Sequence, residues 1–403
     1  MKDLWRAGMV VAILGVLVSL ARHSGFGPGL LEARGAANAR ASNSTSHASA
    51  GLVTPAPLTS PDYGIQVFLF WREEVADRDL QLVKEAGFRW VKQEFAWREI
   101  EGAARGIFDW TKTDRLMDQV DAYGLHIIAR VGVQPAWAGG SFPEIGPPDD
   151  YQDFANFVGT LAKRYRGRID AYQIWNEPNL AREWGGRPPD AVAYTRLLKL
   201  AYQAIKAADE RAYVISAGLA PTSRWDDVAV PDAIFLQRMY EAGAAPYFDL
   251  LGAHGAGYKA PPETSPELVA QDPNLNHHDP SPPELRRIYC FRHVEDLREV
   301  MVANGDAAKR VALLEFGWTT DSRPESPYAW HAVTSQQQAD YLVRAYQYAK
   351  AHWQPWIAVM SLIYMPDAQW DADDEQSYWS IIFPGYPELR LRPAYVALKH
   401  MPK

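Results

Sequence analysis

The chain has 403 residues, of which 47% are hydrophobic and 22% charged, and its net charge is −8. That balance supplies enough apolar surface for a large core and excludes global disorder. It also argues against a nucleic-acid partner, because phosphate binding needs a clustered basic surface and the basic residues here form only short pairs such as Arg286-Arg287.

In chain order, Lys2 and Arg6 precede an uncharged apolar run from Ala7 to Ala21, closed by Arg22. As a helix that run reaches only about 22 Å, short of the ~30 Å hydrocarbon core. Residues 1–22 therefore read as a cleaved signal peptide, with Ser19-Leu20-Ala21 offering the small residues a peptidase needs, or alternatively as an uncleaved anchor. Either form predicts an exported protein, secreted or tethered at the cell surface, whose only contact with a membrane is this segment. Residues 23–61, rich in Gly, Ala, Ser, Thr and Pro, show neither helical nor strand periodicity and read as a linker. Asn43-Ser44-Thr45 matches a glycosylation sequon there but is taken as unmodified linker.

From Tyr63 onward, short β-type runs alternate with amphipathic stretches, the pattern of repeated βα units around a parallel sheet. Strands are expected near Ile65 to Phe70, Trp90 to Phe95, His126 to Val131, Ala171 to Trp175, Ala212 to Ala217, Leu250 to His254, Val311 to Phe316 and Ile357 to Tyr364. Helical spacing follows in Lys112 to Asp121, Tyr151 to Arg164 and Ala191 to Ala207. Eight such units predict an α/β fold, a (β/α)8 TIM barrel spanning residues 62–403 as one catalytic domain. The longest irregular stretch, Gly255 to Pro283, leaves the sixth strand on the face where such barrels carry their sites. Its His277-His278-Asp279 lacks a matching ligand spacing, so no metal is expected. The single Cys290, in the helical pattern Glu284 to Phe291, forms no intrachain disulfide and reads as a buried thiol.

Two glutamates end strand-like runs. Glu177 stands in Trp175-Asn176-Glu177-Pro178 after the run Ile169 to Ile174, and Glu315 in Leu313-Leu314-Glu315-Phe316-Gly317. A carboxyl that donates and recovers a proton needs partial desolvation, which Trp and Pro at a strand tip provide. A second carboxylate completes the pair that glycosidic bond hydrolysis requires: an acid for the leaving oxygen and an anion for the oxocarbenium-like centre. Asn176 is placed to hold a substrate hydroxyl. By count, Glu177 follows the fourth strand and Glu315 ends the seventh.

The run Gln173-Ile174-Trp175-Asn176-Glu177-Pro178-Asn179-Leu180 resembles the acid/base strand of the clan A retaining glycoside hydrolases, most closely family 39 and related bacterial enzymes. Phe88 to Trp97 with Ile100-Glu101 and Gly106 to Trp110, and the closing Arg392 to Leu398, are similar to segments of the same enzymes, so the resemblance spans roughly residues 62 to 400. It implies Glu177 as acid/base, Glu315 as nucleophile, and Asn176 on the sugar 2-hydroxyl. Two departures stand out. Relatives carry His-x-Tyr at the sixth strand, where this chain has His254-Gly255-Ala256-Gly257-Tyr258, and many place a Trp at the end of the eighth, where it has Tyr364 with Trp370 nearby.

Residues at strand tips complete the expected carbohydrate site: Gln93, Trp97, Arg130, Gln134, Trp137, Asn176, His254, Tyr258, Trp318, Tyr364 and Trp370. No cofactor is expected, since two carboxylates handle both charges. The expected protein is a monomeric retaining glycosidase acting on a β-linked poly- or oligosaccharide. The alternatives are a carbohydrate-binding protein on the same barrel and a transglycosidase.

Overall fold

The computed structural model describes residues 58–403; the expected signal or anchor, the sequon and the linker up to residue 57 lie outside the described residues. Eight parallel strands close into one barrel in sequence order: β1 (Asp62–Gln66), β2 (Trp90–Ala96), β3 (His126–Gly132), β4 (Ala171–Ile174), β5 (Tyr213–Ile215), β6 (Leu250–Ala256), β7 (Arg310–Gly317) and β8 (Ile357–Leu362). Closure comes from β8 pairing with β1, Gly64 opposite Ser361. A helix follows every strand, and local chemistry sets several of their ends. Asp150 caps Tyr151–Arg164 by accepting from the Gln152 amide, and Thr334 with Gln337 forms a capping box on Ser335–His352. The helix Thr111–Tyr123 stops at Gly124, whose φ of 66° is the left-handed turn that ends a helix without steric cost.

Strand periodicity divides the core into two layers. Trp90, Ile128, Ala171, Ile215, Leu250, Ala312, Leu314 and Ala358 form a buried cluster drawn from seven strands and fill the barrel interior. The alternate residues, such as Val91, Ile127, Tyr172, Leu251 and Leu313, pack outward with the helices. Among the described residues no helix is long and apolar enough to cross a membrane.

Three local expectations change. The first strand is Asp62–Gln66 rather than Ile65 to Phe70. The apolar run past Gln66 is buried loop: Phe68 packs edge-on against Tyr364 and Trp370, so its hydrophobicity reports aromatic packing instead of sheet pairing. In the expected irregular stretch, β6 continues to Ala256 and a helix capped by Ser265 covers Pro266–Gln271. Cys290 lies beyond the short helix Pro283–Arg286 and not within a helix, yet it is fully buried, and burial pushes its thiol up to about 12.

Candidate active site

Above the apolar filling, the next interior positions of the strands are polar. Lys92 and Glu94 follow Trp90 at two-residue steps on β2, Arg130 follows Ile128 on β3, and Gln173 follows Ala171 on β4. The register sets Glu94, Arg130 and Gln173 side by side across three strands, with Lys92 beside Gln66 one step below. A buried Lys or Arg needs a counter-charge, and each has one. Lys92 Nζ donates to Glu315 Oε1 at 2.7 Å, and Arg130 Nη2 to Glu94 Oε2 at 2.9 Å.

Each of the two predicted carboxylates reaches this layer through a local irregularity. On β7, Ala312 and Leu314 point inward, so simple alternation would send Glu315 outward. The pairing slips at this point: Ala253 faces Leu313 while the next residue, His254, faces Glu315, leaving Leu314 as an extra residue. Such a bulge re-aims the following side chain, and Glu315 turns inward while Phe316 packs outward. After β4, Trp175 and Glu177 adopt φ of 69° and 39°. Left-handed backbone is costly for a bulky residue such as Trp. Here it sends the Trp175 ring out against Phe154 and Trp184, its Nε1 donating to the Glu183 carbonyl, while Glu177 turns to the axis.

His254 is fully buried between the two acids, with Nδ1 3.0 Å from Glu177 Oε1 and Nε2 3.8 Å from Glu315 Oε1. One oxygen of each carboxylate lies within 4.8 Å of the other. Arg182 Nη2 donates to Glu177 Oε2 at 2.5 Å. Burial pushes Glu315 up, but His254, Lys92 and Arg130 outweigh it and hold the carboxyl down at about 2. Burial also pushes Glu183 up to about 7, against the pull of Arg182 and Arg130. Glu315 is thus an anion fixed by cations, and Glu183, beside Arg182 and Arg130, is a carboxyl able to hold a proton near neutrality.

Glu177, His254 and Glu315 are also the one group among the described residues whose ligand atoms cluster closely enough for a metal ion. Lys92 and Arg182 already bond both carboxylates, so a divalent ion would compete with two fixed cations. His277 belongs to no such group and stacks on Trp330 at 4.5 Å.

The other predicted residues divide in two. Asn176 accepts weakly from Gln173 at 3.4 Å beside Glu177, and Tyr364 is buried with its phenol raised by burial and by the nearby Glu315. Trp370 packs at 5.4 Å on Tyr364. The remainder face elsewhere. Gln93 is on the outward face of β2 and accepts from the Phe70 amide. Trp97 stacks on Phe157 and donates to Glu101, while Trp137 sits edge-on to it and donates to the Glu101 carbonyl. Trp318 packs outside the barrel against Phe291 and Tyr341. Gln134 pins its own loop through the carbonyls of Gly140 and Glu144 and the amide of Gly146. Tyr258 lies against Tyr289 and Trp330, and the side chain bonded to Glu315 is Lys92. Lys92, Arg182 and Glu94 are the site residues that lie outside the predicted set. The sequence does carry a signal for Lys92: a lysine on the Trp90 face of a strand closed by Phe95 and Ala96 must be buried and must find an acid.

A consequence is testable through pH. Lys92→Met removes one of the cations that depress Glu315, so its carboxyl should rise and the acid limb of kcat/KM should move upward by about 1 unit or more. A pH profile with an aryl glycoside measures this, and an unmoved limb would mean that Lys92 does not set the charge of Glu315.

Residues 67–159 match the Glyco_hydro_42 family model, described as Beta-galactosidase, a segment that covers β2 and β3 but neither glutamate. Among solved structures, the chain is similar to a family 39 glycoside hydrolase from Bacteroides cellulosilyticus WH2, with a TM-score of 0.62 and 20% identity over 84% of this chain and 63% of that one. It is also similar to the GH39 enzyme from Xanthomonas axonopodis pv. citri (0.55, 16%, 86% and 67%) and to xylanase 10B from Thermotoga petrophila RKU-1 (0.53, 13%, 85% and 94%). The chain thus spans somewhat under two thirds of the length of the first of these. No curated protein matches it significantly in sequence. Over residues 67–159 the chain is thus similar to the Beta-galactosidase family model, and its (β/α)8 barrel is the fold it shares with these glycoside hydrolases.

Proposed function

We propose that the protein is a retaining glycosidase that hydrolyses a β-linked poly- or oligosaccharide by double displacement. The observation that carries this reading is the approach of one oxygen from Glu177 and one from Glu315 to within 4.8 Å. Retaining enzymes hold their carboxyl groups roughly 5 to 5.5 Å apart, whereas inverting ones leave about 6.5 to 9.5 Å for a water. Glu315, kept anionic by Lys92 and Arg130, attacks the anomeric carbon. Glu177 gives its proton to the leaving oxygen, then takes one from the water that releases the sugar from Glu315. His254 orients both acids. Arg182 steadies Glu177 as the base of the second step and must let go of Oε2 when that oxygen carries the proton. The apolar run Ala7 to Ala21 is the ground for reading the enzyme as exported.

The test is a screen of p-nitrophenyl β-glycosides and soluble β-linked polysaccharides, with the anomer of the first product read by proton NMR. Turnover with the β-anomer formed first is expected. Binding without turnover, or an inverted product, would overturn the reading.

A further inference from the structure

We propose that Glu94 reads the sugar ring bound at the cleavage site, accepting a hydrogen bond from one of its hydroxyls through the carboxylate oxygen that Arg130 does not hold. The inference rests on the glycosidase reading and adds a specificity residue to it.

Three observations place Glu94 there. First, it stands on the interior face of β2, one inward step beyond Lys92, which is roughly 7 Å along the strand toward the open end. Lys92 holds the nucleophile, so a ring whose anomeric carbon lies at Glu315 spreads across the row formed by Glu94, Arg130 and Gln173. Second, Glu94 is only 6% exposed, and while Oε2 takes the Arg130 guanidinium at 2.9 Å, Oε1 has no hydrogen-bond partner. Buried carboxylate oxygens are rarely left without a donor, because desolvation is then uncompensated. Third, the neighbouring acceptor is also open. Gln173 donates its amide to the Trp175 carbonyl and to Asn176, which leaves its Oε1 buried and unpartnered in the same row.

Two acceptor oxygens side by side call for donors, and a sugar ring supplies them as hydroxyls. An ammonium would meet the repulsion of Arg130, so a neutral hydroxyl is the better fit. Arg130 acts as the positioning residue: it fixes the carboxylate plane so that the free oxygen keeps one direction. A site built to hydrogen-bond a hydroxyl rejects the analogue that lacks it, because its own buried acceptor is then stranded.

The experiment takes the p-nitrophenyl β-glycoside turned over best and its monodeoxy analogues, each lacking one ring hydroxyl, and compares kcat/KM for the wild type, Glu94→Gln and Glu94→Ala. The wild type should lose on the order of 10²-fold or more on one analogue. Glu94→Ala should be slow on the parent but should discriminate that analogue no more than about 3-fold, and Glu94→Gln, isosteric and uncharged, should fall between. A merely structural role would slow all substrates alike and leave the discrimination intact, which would overturn the proposal while the glycosidase reading stands. A flat panel in the wild type would overturn it as well. No turnover of any glycoside by the wild type would instead remove the reading beneath it. If Glu94→Ala fails to fold, the Gln variant decides by the same comparison.

Discussion

Glu315→Gln should lose about 10⁴-fold or more in kcat on activated and unactivated glycosides alike, equivalent to about 5 kcal/mol of barrier. The substitution keeps the volume and the bulged backbone but removes the anion that forms the bond. No leaving group compensates for a missing nucleophile, so the loss should not depend on the aglycone. The neighbouring cations make the effect larger: Lys92 and Arg130 face a site that holds a negative charge, and a neutral amide leaves Lys92 buried without its counter-ion. Steady-state kinetics on a dinitrophenyl and an alkyl glycoside would measure it. A variant retaining near-normal rates on either would remove Glu315 from the role of nucleophile.

The second large effect is selective. Glu177→Gln should slow alkyl glycosides by roughly 10² to 10⁴-fold, the usual contribution of a positioned proton donor, yet spare the first step for dinitrophenyl leaving groups, which need no proton. Turnover of these substrates should then stall at the glycosyl enzyme, since the base for water is gone, and azide should restore it by attacking in place of water. The basic limb of the pH profile should flatten in the variant. Should that limb persist unchanged, the proton donor is another group, and Glu183, pushed up to about 7 by burial and set beside Arg182, is the residue the geometry then selects.

How much of the molecule is legible in its sequence depends on the kind of signal. The barrel is legible, because each βα unit carries its own period and eight of them can be counted along the chain. The glutamates Glu177 and Glu315 are legible too, because a polar residue closing an apolar run is conspicuous and Trp-Asn-Glu-Pro is specific. Three of the misplaced site residues share one cause. Gln93, Trp97 and Trp318 lie near strand ends, but the two-residue period decides which side chains see the axis, and all three fall on the outward phase. Counting from Trp90 selects Lys92 and Glu94 instead. The same rule applied to β7 would turn Glu315 away, since Leu314 already points inward, and only the pairing slip opposite His254 restores it. A bulge is a property of two strands together and leaves no mark in either alone. Arg182 is hidden for a similar reason: its contact with Glu177 depends on the left-handed turn at Glu177 and the short helix Ala181–Glu183, neither of which has a periodic signature.

As nucleophile, Glu315 would become covalently bonded to the sugar, and trapping makes that bond visible. The wild type is incubated with a 2-deoxy-2-fluoro β-glycoside bearing a dinitrophenyl leaving group, which forms the glycosyl enzyme and slows its breakdown, and the digest is read by mass spectrometry. A single fluoroglycosyl adduct is expected on the peptide that contains Leu314-Glu315-Phe316, with inactivation following the same time course and the adduct absent in Glu315→Gln. An adduct on any other residue, or an enzyme that turns over the parent glycoside with inversion and takes no label, would contradict it.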